Sequence, residues 1–135
     1  MEVNPYLVFP GTCQQALDFY KQALGVDIKN TMTFENSPKP VKEEDKNKIM
    51  HATFSLGKTT LMASDSIPSQ PPELGTNIHL SLNFTDVADM DKKFNALAEG
   101  GKTTMPLQDT FWGARFGMLT DKFGINWMFN CELKK

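Results

Sequence analysis

Two histidines, one arginine behind an aromatic residue and glycine, and a scatter of methionines are the side chains of this 135-residue chain with most chemical scope. His51 and His79 are its only histidines. Imidazole titrates near neutral pH, so either can donate to an anion or act as a general base toward a carbonyl ligand. A pair of hydrogen-bonded histidines with no chemical role is the plainer alternative. Arg115 follows Trp112-Gly113-Ala114. Its guanidinium can hold a carboxylate or phosphate through two parallel bonds, or it can pin the loop in a salt bridge. Trp112 suits a pocket wall or a plug at a subunit interface. Cys13 is expected to be buried and inert. No G-x-S-x-G, P-loop or H-E-x-x-H motif occurs.

The elements that must position these groups follow from periodicity. Tyr6 to Phe9 is an extended apolar run closed by Pro10-Gly11. Thr12 and Gln15 have the spacing of a capping box. Ala16, Leu17, Tyr20, Ala23 and Leu24 then form a helical stripe that stops at Gly25. Val26 to Phe34 favours strand, and 50–56 with 59–64 reads as a hairpin around Gly57-Lys58. Residues 66–76 hold three prolines and read as a linker. The second half repeats the order: strand 78–84, a helix capped at Thr85 or Asp86 with Val87, Met90, Phe94 and Leu97, a short strand near 102–105, and a hairpin over 115–130. The expected class is α+β: a first βαβββ module over 1–65, the linker, and a second over 77–135.

Strand alternation sorts the faces. Ile78, Leu80, Leu82 and Phe84 suit the helix side, leaving His79, Ser81 and Asn83 opposite. Ala52, Phe54, Leu61 and Ala63 go inward, leaving His51, Thr53, Thr60 and Met62 on the bare face. Joined edge to edge, two such modules would make one curved mixed sheet with a central trough, a setting that suits a small ligand. Exposed sheet edges and apolar rims predict a homodimer.

A formal charge of −2 and a pI near 5.6 argue against nucleic acid, which rewards a basic face. No apolar run reaches the roughly 20 residues of a membrane helix, and no basic-then-apolar leader is visible. Two cysteines without C-x-x-C spacing read as reduced thiols, so a bacterial cytoplasm is expected. The mixed charges of 42–48 read as a solvated loop.

Four segments, Y-L-V-F-P-G…A-L-D-F-Y-K-Q-A-L-G (6–25), H-A-T-F-S-L-G-K-T-T-L-M-A-S-D (51–65), F-T-D-V-A-D-M-D-K-K-F (84–94) and F-W-G-A-R-F-G…D-K-F-G-I-N-W (111–127), carry a resemblance. Together they resemble the vicinal oxygen chelate superfamily, which includes glyoxalase I, extradiol dioxygenases and antibiotic-resistance proteins, and within it the PhnB-like branch. The resemblance implies paired βαβββ modules and a homodimer. It also places the superfamily's four metal-ligand positions at Pro5, Met62, His79 and Met128. Only His79 suits a hard divalent ion, since proline has no donor and a thioether is soft.

The reading is therefore a protein without metal or cofactor that binds a small organic ligand through His51, Met62, His79, Trp112, Arg115 and Met128. The alternative is a lyase- or dioxygenase-type enzyme of the superfamily acting on a small carbonyl or aromatic substrate. That enzyme would be metal-dependent, through a nonstandard ligand set that includes His51 and His79, or would work by acid–base chemistry through histidine alone. Some PhnB-like relatives carry a methyltransferase label, but this chain has no Gly-rich strand-to-helix loop to grip a nucleotide-like cofactor.

Overall fold

A computed structural model describes residues 1–66 and 70–133. It divides into two units, Met1–Glu73 and Leu74–Lys135, the division falling inside the proline-rich 66–76 segment, of which 67–69 lie outside the described residues. In the first unit, strand β1 (Tyr6–Phe9) leads into helix α1 (Cys13–Leu24), then β2 (Asp27–Thr33), β3 (Ile49–Leu56) and β4 (Thr59–Asp65). These form a four-stranded mixed sheet in the order β1-β4-β3-β2, with β1 parallel to β4 and the other pairs antiparallel.

The apolar stripe of α1 is buried as its spacing requires: Ala16, Leu17, Tyr20, Ala23 and Leu24 are in the core with Phe9, Ala52, Phe54, Leu61 and Ala63. Removing one such ring, as in Phe54→Ala, would cost about 3–5 kcal/mol. Gly25 ends the helix in the left-handed conformation, φ +74°, and its N–H caps the Lys21 carbonyl.

The start of α1 departs from the expected capping box. Thr12 makes no side-chain cap. The carboxylate of Asp65, at the far end of β4, reaches across instead. Its Oδ1 accepts from the Cys13 N–H at 2.8 Å and its Oδ2 from the Ile49 N–H at 2.9 Å. Asp65 is only 4% exposed, so one charge satisfies two buried donors and faces the positive end of the helix. Residues 42–48 also depart from a purely solvated loop. A 3₁₀ turn over Glu43–Asp45 orders them, and Lys48 pairs with a largely buried Asp45 at 2.6 Å.

The second unit runs β5 (Leu80–Phe84), α2 (Val87–Ala98), β6 (Lys102–Asp109), β7 (Ala114–Thr120) and β8 (Asn126–Glu132), in sheet order β5-β8-β7-β6 with β5 parallel to β8. Asp86 caps α2 through the Ala88 N–H, as its position suggested. Met90, Phe94 and Leu97 join Trp127, Phe129 and Leu119 in the core, where Phe94 meets Phe129 edge-on at 5.0 Å. The β7–β8 turn, Asp121 to Gly124, is held by the buried Asp121 carboxylate. It accepts from the Phe123 and Ile125 N–H groups and the Trp127 indole at 2.8, 3.1 and 2.9 Å.

Two strand boundaries differ from expectation by more than one residue and have a physical reason. β5 starts at Leu80, and Ile78 is 74% exposed rather than packed beneath the helix. β6 extends to Asp109 through Pro106, because it is an edge strand that bulges between Met105 and Gln108. An edge with a bulge tolerates the missing N–H of proline. The bulge lays Leu107 against Gly117, where a Cβ would lie 2.8 Å from the leucine side chain.

Candidate functional site

Each sheet has one face under its helix and one bare, and strand register sorts the chemically capable residues between them. On the bare face of the first unit, Tyr6, Met62, Thr53 and Asn30 stand side by side across β1, β4, β3 and β2. His51, two residues before Thr53 on the same face, leans between them. Its Nδ1 lies 3.4 Å from the Tyr6 hydroxyl and its Nε2 lies 3.4 Å from Thr53 Oγ1. The result is a hydroxyl–imidazole–hydroxyl array. If Thr53 receives from the ring, the ring receives from Tyr6 and the phenol oxygen offers lone pairs outward. The opposite tautomer leaves the phenol free to donate. Around this array Tyr6, Val8 and Met32 are 45%, 40% and 46% exposed.

In the second unit the bare face carries Ser81, Met128, Met118 and Met105 in one row across β5, β8, β7 and β6. Phe116 and Asn130 form the next row. Trp112, 56% exposed, stacks edge-on between Phe111 at 5.1 Å and Phe116 at 6.1 Å, so it borders this same face. The turn that presents it needs Gly113, at φ +86°.

His79 does not sit within a strand. It immediately precedes β5, and its Nε2 lies 3.0 Å from the Thr76 carbonyl. A carbonyl only accepts, so Nε2 donates this bond. Among the described residues, the ring's Nδ1 is the buried side-chain nitrogen or oxygen left with no hydrogen-bond partner.

Arg115 points the other way. Its Nε and Nη2 meet Asp91 of α2 at 2.9 and 3.5 Å, and Nη1 meets Asp109 of β6 at 3.2 Å. The Asp91 carboxylate foremost, then Asp109, raises its already high pKa. It thus forms a salt bridge on the helix side of the sheet, across it from Met128. A cavity of about 350 Å³ opens there between α2 and β6, with Asp91, Phe94, Thr103, Leu107 and Arg115 in its wall. Its guanidinium is already neutralised by two carboxylates, so this cavity is a poor anion site.

Cys13 is fully buried. Burial, and secondarily the Asp65 charge, push its thiol up to about 12, which makes it a packing residue rather than a nucleophile.

The positions that the superfamily resemblance assigns to metal ligands do not suit a hard ion. Pro5 offers only its carbonyl, which already accepts from the Met62 N–H at 3.0 Å. Met62 and Met128 are thioethers, and the ring nitrogen of His79 that faces Thr76 is committed. Among the described residues no three His, Cys, Asp or Glu side chains gather as a ligand set.

With two strand–helix–three-strand units, each closing its sheet by a parallel pairing of first and last strand, the class is defined. The chain belongs to the glyoxalase/bleomycin resistance protein/dioxygenase superfamily, whose description it matches over residues 2–129. Protein YjdN of Escherichia coli K12 is 33% identical to it over 140 residues, covering 96% of this chain and 95% of its own. The crystal structure of protein PA1353 from Pseudomonas aeruginosa is similar at TM-score 0.89 and 46% identity, covering 99% of each chain. The PhnB protein of Bacillus cereus is similar at TM-score 0.83 and 25% identity, covering 97% of this chain and 99% of its own.

Tyr6 and Thr53 are not among the six residues expected to bind the ligand. The signal was available in strand alternation, which put Thr53 beside His51, but Tyr6 joins them only through the parallel β1–β4 pairing.

Proposed function

We propose that this protein binds a small organic ligand with an aromatic or aliphatic body and one hydrogen-bonding end, and that it does so without a divalent metal at the superfamily's ligand positions. The Tyr6–His51–Thr53 array carries the reading: a polar group able to donate or accept, set among half-exposed apolar side chains that water solvates poorly. Met62, in register between Tyr6 and Thr53, supplies apolar contact area, and methionine adapts to irregular shapes.

The test is a thermal-shift screen of small phenols, aromatic aldehydes and aliphatic ketones. Calorimetry on the best binder then compares the native protein with Tyr6→Phe and His51→Phe. These variants keep the apolar area and remove the polar end, so a tenfold or greater loss of affinity is expected. Undiminished binding by both would refute the assignment. Stoichiometric nickel, zinc, manganese or iron in the purified protein would refute the metal-free part.

A second reading, proton transfer by a histidine-based enzyme, is favoured by one observation: His51 has a hydroxyl on each side and can pass a proton between them. We also propose a cytoplasmic homodimer. Phe111 is 97% exposed beside Trp112, an aromatic pair that a second copy would cover, and both cysteines are free thiols. Light scattering that gives the monomer mass at micromolar concentration would remove the dimer.

A further inference from the structure

The two bare faces occupy equivalent places in the two units and hold different chemistry. Where the first unit's row reads Tyr6, Met62, Thr53 and Asn30, the second unit's reads Ser81, Met128, Met118 and Met105. Three thioethers on three neighbouring strands are thus in direct register. Directly opposed residues on antiparallel strands have Cβ atoms about 4.5–5.5 Å apart. An unbranched methionine side chain can swing its sulfur by several ångströms, so the outer two can lean toward the central Met118. All three are partly buried, neither sealed in the core nor loose in solvent.

Thioethers are soft, neutral and unprotonated at any physiological pH. They discriminate against hard divalent ions and favour Cu(I) and its analogue Ag(I). The flanking rows agree with that selectivity. They carry Lys102, Thr120 and Asn126 on one side and Gln108, Phe116 and Asn130 on the other, with no carboxylate among them to attract a hard ion. Phe116, with Trp112 against it, adds an aromatic face beside the cluster, which favours a weakly hydrated cation.

We propose that Met105, Met118 and Met128 form a three-thioether site for a soft monovalent cation, Cu(I) or Ag(I). The proposal is independent of the organic-ligand reading: it needs the sulfur atoms, whereas ligand packing needs only apolar area. Leucine substitution separates the two.

The probe is Ag(I), which needs no reductant, added in chloride-free buffer to protein labelled with ¹³C at its methionine methyls. The expected result is saturation at one equivalent, with the Met105, Met118 and Met128 methyls moving together. Met62, which has Tyr6 and Thr53 for neighbours, and Met90, which is in the core, should stay still. Because thioethers carry no proton, the heat of binding should not vary with the buffer's ionisation enthalpy. The M105L/M118L/M128L variant should lose at least tenfold in affinity for Ag(I), and for Cu(I) held in competition with a chromogenic chelator. Cys13→Ser and Cys131→Ser should retain it. Binding that releases a proton, that disappears with a cysteine, or that shifts other methyls would overturn the proposal, as would no saturable binding. Should the triple variant fail to fold, the methyl shifts of the native protein decide the matter alone.

Discussion

Asp65→Ala should be among the most destabilising single changes in the first unit. The carboxylate is buried and each oxygen takes one backbone N–H, from Cys13 and Ile49. Truncation leaves both donors without a partner in a region too closed for water to replace it. An orphaned buried donor costs about 1–3 kcal/mol, and losing the anion at the start of α1 adds up to about 1 kcal/mol. A total of about 4 kcal/mol is expected, which for a chain of this size lowers Tm by roughly 15 °C. Differential scanning calorimetry or circular dichroism measures it directly. The same residue has a second readout in the thiol beside it. Burial is the larger cause of the raised Cys13 pKa and Asp65 the smaller. Asp65→Asn should therefore lower that pKa while leaving it above the ordinary 9.0, followed by thiolate absorbance near 240 nm with Cys131→Ser as background. A fall in Tm of less than about 4 °C for Asp65→Ala, against the expected orphaned-donor cost, would refute the reasoning.

Cys13 also sets a pH dependence. Its folded pKa lies above the unfolded value, so its contribution to stability is complete below about pH 9 and is lost as pH rises toward 12. Over that window Cys13→Ala should flatten the fall of unfolding free energy by up to about 1.4 kcal/mol per pH unit, seen in urea titrations at pH 9, 10 and 11. Two glycine substitutions should differ in cost. A Cβ at Gly101 would lie 2.4 Å from the Thr120 carbonyl oxygen, which is backbone, whereas at Gly117 it would meet the Leu107 and Phe94 side chains at 2.8 and 3.1 Å. Gly101→Ala should lose about 3 kcal/mol and Gly117→Ala nearer 1 kcal/mol, with equal values in chemical denaturation counting against the geometry.

What the sequence disclosed and what it hid divide along a physical line. Interactions within one element were legible. The stripe of α1, the glycine that stops it and the aspartate that caps α2 depend on spacings of three and four residues, and all are present. Sheet faces were legible for the same reason, since alternation is local: Ala52, Phe54, Leu61 and Ala63 are buried, while His51 and Met62 face the other way. Interactions that join distant elements were not. Nothing near Thr12 signals that its capping role passes to Asp65, more than fifty residues later. Arg115 shows no trace in sequence of Asp91, its partner on α2. The expected strand near 102–105 stopped short of Asp109, because nothing local signals that β6 is a bulged edge able to pass through Pro106. The superfamily positions at Pro5, Met62, His79 and Met128 came from resemblance alone, and nothing local signals that the His79 ring turns to the Thr76 carbonyl.

The parallel closure of each sheet bears on the order in which the chain acquires its structure. The β3–β4 and β7–β8 hairpins join residues a few positions apart, but Tyr6 finds Met62 only across about fifty intervening residues, at the higher closure cost of a long loop. During synthesis β1 must wait until β4 has left the ribosome. It is expected to dock last, and pulse-labelled amide exchange during refolding should find its N–H groups protected after those of β3 and β4. Tyr6 and Val8 travel on that strand. The hairpin can thus bring His51 to Thr53 early, while the phenol that completes the array arrives only when the first unit closes, so ligand competence is a late event in the life of the chain.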